Sequence, residues 1–318
     1  MYHLHRNRPD ILSSFSRRLS IMSELELGLI GSFLTLCALS FFLNGTFLIV
    51  ICKSWKVVKE RRITYHVTYL AISDCIVGAS AFCLVISKIV TGGMTTLGLA
   101  FTKIAWMATL TSLLSVCMMA VERAVCIIKP HTWTQILPLK RILQIMAGNW
   151  VLALTLAIIK HYYNVVMSFI FLVLFFIPII VTSLVYVNMY IKIRSASKVR
   201  DETEHNSAAK IKERRNSMIQ RKIGTFVLIL VLILIISVSP LYITVFIEVS
   251  CELFKLKCKL IETVDKVHYY FHLLAMMNHV VNPIFYAWRI SLYRQAFWKM
   301  FGRAGSENPQ TVYLSTIN

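Results

Sequence analysis

Long apolar runs separated by short charged segments dominate this chain. Seven of them, near 27–52, 64–88, 98–128, 140–159, 165–193, 219–248 and 266–288, are each long enough to cross a bilayer as a helix. The pattern predicts an all-α membrane protein: a tail over 1–26, then a seven-transmembrane helix bundle over 27–289. A basic amphipathic stretch, 290–301, follows the last run. It sets Leu292, Ala296, Phe297 and Met300 on one side and Arg289, Arg294 and Lys299 elsewhere, which predicts a short helix lying on the membrane surface. Residues 302–318 form a second tail. No internal repeat is visible, so the signature of many transporters is missing.

Composition agrees. The chain is 57% hydrophobic and 15% charged, where a soluble domain carries about 25% charged residues. The net charge of +19 is not a nucleic-acid footprint, because the basic residues sit between apolar runs and no stacking or zinc-finger pattern accompanies them. Lys53, Lys56, Lys59, Arg61 and Arg62 follow the first run, and Arg123, Lys129, Lys140 and Arg141 follow the third. The longest loop, 194–218, holds Arg194, Lys198, Arg200, Lys210, Lys212, Arg214 and Arg215. The positive-inside rule therefore puts 1–26 outside and 302–318 in the cytosol, although Arg6, Arg8, Arg17 and Arg18 oppose it. The first run is too long for a cleavable signal and reads as an uncleaved span. Met22 leaves a shorter start open. Six cysteines fall within apolar runs and act as small hydrophobes; only Cys251 and Cys258 lie in a polar loop.

A few polar residues interrupt the apolar runs. Asp74 lies within the second, where a central carboxylate costs about 2.5–3.5 kcal/mol on insertion scales. It must face the bundle and find partners. Asn44, Ser112, Asn278 and Asn282 are the candidates, and Asn278 and Asn282 share one helix face. Together they would form an oxygen-rich cavity able to hold a sodium ion, with Asp74 and Ser112 as ligands, or a proton on Asp74. A hydrogen-bond network without an ion is the plain alternative. Asn44-Gly45-Thr46 matches a glycosylation sequon but lies within a span. Glu122-Arg123 closes the third run; it is either an interfacial arginine reaching for headgroups or a held arginine that swaps partners when helices move. In the last run, Asn282-Pro283-Ile284-Phe285-Tyr286 combines a helix-kinking proline with polar groups one turn apart, a local weak point in a membrane helix.

In this order, these residues resemble the rhodopsin-like (class A) G-protein-coupled receptors over about 27–301. The resemblance rests on Leu43-Asn44-Gly45, Leu70-Ala71-Ile72-Ser73-Asp74, Glu122-Arg123-Ala124 with Lys129-Pro130, Trp150, Pro178 with Tyr186, Pro240, Asn282-Pro283-Ile284-Phe285-Tyr286 and Tyr293-Arg294. It implies a cell-surface receptor with no catalytic site. Glu122, Arg123, Pro130, Tyr186, Asn282, Pro283 and Tyr286 would form the coupling and activation switch. The implied partners are a heterotrimeric G protein, with arrestin and a receptor kinase, and the plasma membrane as location. Arg214-Arg215-Asn216-Ser217 also fits a basophilic kinase site.

Departures from the family pattern carry information. Ala124 replaces the usual Tyr, Val238 stands where a switch Trp is usual, and Gln220 cannot form a charged lock with Arg123. Reduced restraint, and so raised basal activity, is the expectation. Gly98 stands where most members have the bridging Cys, and the loop from Lys160 to Asn164 has none. Cys251 and Cys258 remain as an outside pair. An oxidising exterior favours a bridge between them over two free thiols, and closing so small a ring stabilises by about 2–3 kcal/mol. The short second outer loop and third-loop Cys pair look most like the melanocortin receptors, which group with the lysophospholipid, cannabinoid and adenosine receptors.

The ligand is open. Ala105 stands where amine receptors carry an Asp, and Met276 where opsins carry the retinal Lys, so neither a typical monoamine nor retinal is expected. Lys88, Lys103, Lys160 and His161, with His268 and His272 opposite, could receive an anionic headgroup or acidic peptide; ordinary interfacial Lys and His are the alternative. A ligand-independent or scaffold receptor, and a seven-helix transporter or channel with Asp74 on an ion path, are the competing functions.

Overall fold

The computed structural model describes residues 23–129, 132–162, 208–255, 261–289 and 291–300, with Phe176, Ile180, Ser183, Leu184 and Val187 between them. Most of the fifth apolar run lies outside the described residues, as do Pro130, Pro178, Tyr186 and Cys258.

The first span is α1 (Glu24–Lys53). Ser23 caps it: the Glu26 amide donates to the Ser23 hydroxyl at 3.3 Å, and the Ser23 amide donates to the Glu26 carboxylate at 2.9 Å. This reciprocal pair satisfies two donors that a helix start leaves open. A short turn, α2 (Trp55–Val58), leads to α3 (Arg62–Thr91). Gly92 ends α3 at φ 77°, a left-handed conformation that glycine adopts without a Cβ penalty. Thr95 then caps α4 (Thr96–Ile128) by accepting from the Gly98 amide at 3.0 Å. The connection after α4 contains α5 (Trp133–Ile136), and α6 (Leu139–Tyr162) is the fourth span.

The sixth-span helix, α7 (Ala208–Leu253), is 46 residues long and continuous through Pro240. The expected loop over 194–218 is thus shorter than the sequence reading gave it. Lys210, Lys212, Arg214, Arg215 and Ser217 are on the helix, because Ala, Lys, Ile, Glu and Arg are helix formers and water tolerates their charges beyond the apolar run. The seventh-span helix is α8 (Ile261–Arg289), continuous through Pro283, and α9 (Ser291–Met300) follows it.

Helix α3 packs chiefly on α4 and α1, while α8 packs on α7 and α1. Five described helices are long and apolar enough to cross a membrane by length and composition. Their outward faces carry exposed Phe42, Val151 and Ile236, and α8 carries exposed Ile284, as a helix facing hydrocarbon should. Trp55, Trp288 and Trp298 are exposed near the ends that meet the charged segments, where indole rings favour the membrane interface.

Gly78 permits the closest helix approach. A Cβ there would lie 2.7 Å from the Cys37 carbonyl oxygen and 2.9 Å from the Phe41 nitrogen, both backbone atoms. Helix α9 is pinned by Tyr293, which is 1% exposed, stacks edge-on to Phe47 and donates its hydroxyl to Thr64 at 2.9 Å. Burial pushes the Tyr293 phenol above its ordinary value. The amphipathic reading of this stretch missed Tyr293 as its anchor.

Candidate functional site

Two buried carboxylates organise the polar interior. Asp74, on α3, is fully buried. Ser112 on α4 donates to Oδ1 at 2.8 Å. From α8, Asn282 Nδ2 donates to Oδ2 at 2.7 Å, and His279 Nδ1 lies 2.6 Å from Oδ1. The Ser40 hydroxyl of α1 donates to the Asp74 backbone carbonyl at 3.0 Å. Asn44 adds a crosslink: Nδ2 donates to the carbonyls of Ser40 and His279, each at 2.9 Å. Four helices thus meet around Asp74: α4 and α8 at its carboxylate and α1 at its backbone carbonyl. Of the candidates in the sequence, Ser112 and Asn282 bond the Asp74 carboxylate, while Asn44 bonds backbone carbonyls beside it. Asn278 is buried, yet the described side-chain partners of Asp74 are Ser112, His279 and Asn282. His279 was missed. It lies one residue past Asn278 and three before Asn282, so helical spacing alone allows either residue to face α3. Asn44 is fully buried, so its sequon is inaccessible to glycosylation.

The second carboxylate is Glu122, also fully buried, near the inner end of α4. Arg123 Nη2 lies 3.0 Å from Glu122 Oε2, and His66 Nε2 reaches the same oxygen at 2.7 Å. Among the described residues, Glu122 Oε1 has no hydrogen-bond partner, so both basic neighbours converge on Oε2. The Arg123 guanidinium also lies 5.8 Å from the ring centre of Trp133 on α5, and that of Arg62 lies 4.4 Å from it. Arg62 donates to the Leu137 carbonyl, so α5 is docked beneath the pair. His66 and Trp133 escaped the sequence reading. His66 carried a signal: with Leu70 and Asp74 it falls at i, i+4 and i+8, one face of α3.

Tyr286 is fully buried, its ring 5.1 Å from Phe47. Trp150 packs edge-on to Tyr69, whose hydroxyl donates to the Met146 carbonyl. Val238 and Ala124 are buried. The side chain of Gln220 lies outside the described residues.

The outer cluster is only partly assembled. His268 and His272 face each other with Nε2 atoms 2.9 Å apart. His268 Nδ1 lies 3.2 Å from Glu248 on α7. An anion approaching His268 would meet that carboxylate, a feature the sequence reading did not weigh. Lys103 and Ala105 are half-buried with no described contact to the histidines. The side chain of Lys160 lies outside the described residues. Met276 is buried among Cys37, Val77, Ala81 and Ala108. Cys251 is disulfide-bonded, while Cys37, Cys52, Cys75, Cys83, Cys117 and Cys126 are free.

The order of these residues and the bundle that carries them find a direct counterpart. The profile of the seven-transmembrane receptors of the rhodopsin family matches residues 43–286. The chain belongs to that family. It is a multi-pass membrane protein and a signalling receptor by kind. No curated protein matches it significantly. Asp74 of α3 and Asn282-Pro283 of α8 both lie within the matched region, and Asn282 donates to Asp74.

Proposed function

We propose that this receptor sits in the plasma membrane with its amino terminus outside, and couples an extracellular ligand to a heterotrimeric G protein at its cytosolic face. The observation that carries the reading is the state of Arg123. It is 3% exposed, paired to Glu122 and covered by Trp133. A guanidinium held this way is a stored binding group: release from Glu122 turns a buried donor fork into a surface one. Asn282, Pro283 and Tyr286 supply the joint, since Asn282 is tied to Asp74 while Pro283, which withholds one backbone donor, follows it in the same helix. Arrestin and a receptor kinase are further partners of the same face. The Cys251–Cys258 bridge ties the third outer loop. The ligand is neither a typical monoamine nor retinal.

The ion-path alternative fares worse, because both Asp74 carboxylate oxygens are engaged by side chains from α4 and α8. A panel of G-protein dissociation reporters, screened against lipids, peptides and nucleosides, tests the reading. At least one ligand class should activate one subtype, and Arg123→Ala should abolish that response at equal surface expression. Ion flux in the same membranes without any G-protein response would sink the proposal.

A further inference from the structure

The sequence pattern around Asp74 predicts a cavity for a cation, yet the described side chains converging there present hydrogens rather than lone pairs. A hard cation is held by several oxygens. Asp74 Oδ1 instead faces the Ser112 hydroxyl and the His279 imidazole, and Oδ2 faces the Asn282 amide nitrogen. His279 Nδ1, at 2.6 Å from Oδ1, stands where a coordinated ion would have to sit. While Asp74 is ionised, the proton between the two is on Nδ1, because a carboxylate can only accept. The ring is nearly buried, and the His279 carbonyl is held by Asn44 at 2.9 Å, so the backbone that carries the imidazole is fixed to α1. Asn278, the expected oxygen donor from α8, has no described contact with Asp74. Among the described residues, the buried Asn44 Oδ1 has no hydrogen-bond partner, and a single such oxygen does not make a coordination shell.

We propose that His279 occupies the cation position with a tethered imidazole, and that Asp74 therefore takes no sodium. The residue acts by filling space and by donating to Oδ1. It holds α8 to α3 permanently, where a bound ion would hold them only at sufficient concentration. This inference concerns ion binding by the folded receptor and stands apart from the G-protein reading; its test needs no ligand and no partner.

The test is thermal unfolding of the purified full-length receptor in detergent, in sodium chloride and in choline chloride at equal ionic strength. Wild type should unfold at the same midpoint in both. His279→Ser replaces the imidazole by a small hydroxyl, leaving room and an oxygen. It should unfold several degrees higher in sodium than in choline, because a ligand that binds only the folded state raises the midpoint. Adding Asp74→Asn to His279→Ser should remove that difference. A wild-type midpoint that rises in sodium overturns the proposal. So does a folded His279→Ser receptor that ignores sodium. Should His279→Ser not fold, His279→Asn offers an amide oxygen in the same place and is read the same way, and the wild-type comparison decides without either variant.

Discussion

Asp74 and Glu122 are both fully buried carboxylates with a histidine within 2.7 Å, yet they are held in opposite ways. Asp74 receives aligned donors on both oxygens from two neighbouring helices, and a third helix bonds its backbone. Among the described residues, Glu122 has two basic partners on one oxygen and no hydrogen bond on the other. Along α3 the two sites are about 12 Å apart, eight residues at helical rise. A satisfied polar network in a low-dielectric interior is rigid, while a partly satisfied one is ready to rearrange. On that principle the Asp74 site is the more firmly held of the two, and the Glu122 site the more easily rearranged.

Breaking the more firmly held site should have the largest effect. Asp74→Ala leaves Ser112, His279 and Asn282 without their acceptor, and should cost about 3–5 kcal/mol of stability. The readout is a lower unfolding midpoint of the purified receptor and a loss of surface expression. Next comes Gly78→Ala. Its added methyl would press on α1 backbone atoms that cannot swing aside, costing about 1–3 kcal/mol by the same measurement. A neutral result would mean that the α1–α3 approach beside Asp74 is not tight.

Changes at the inner site should act on signalling more than on stability. Glu122→Gln removes the charge that holds Arg123. A weakening of about 1 kcal/mol would raise the open population about fivefold, seen as basal activity in the responsive G-protein reporter. If Glu122→Gln instead destabilises the receptor as much as Asp74→Ala and leaves basal signalling unchanged, the contrast between the two sites is wrong. His66→Asn should go the other way, mildly. It removes the competitor for Glu122 Oε2, leaves that oxygen to Arg123, and should lower basal activity about twofold. Tyr293→Phe is the smallest change. It loses one hydrogen bond to Thr64, worth about 1 kcal/mol, and keeps the ring against Phe47.

The bundle was legible in the sequence because lipid forces backbone hydrogen bonds into long apolar helices, and that constraint leaves a pattern on every span. Asp74, Ser112 and Asn282 were legible for a related reason: a polar group in an apolar run must have partners, and few were on offer. Partner choice was harder. Asn278 and His279 are adjacent, and only the rotation of α8 decides which meets Asp74. Trp133 and Glu248 act across contacts between elements remote in sequence, and neither spacing nor composition reports on those. The 46-residue reach of α7 was also hidden, since its first turns lie beyond the apolar run that defined the span. The expectation of weak restraint now looks different. Gln220 supplies no charge from α7, but Glu122 and Trp133 supply restraint from α4 and α5.

The length of α7 has a mechanical consequence. Pro240 lies 32 residues from Ala208 on one unbroken helix, an arm of about 48 Å at helical rise. A swing of about 10° at Pro240 would carry the far end through about 8 Å, and Gln220, on a shorter radius, through about 5 Å. Small adjustments beside Pro240, among packed side chains such as Val238 and Tyr242, would thus be geared up into displacements as wide as a helix at the positively charged tip that carries Lys210, Lys212, Arg214 and Arg215.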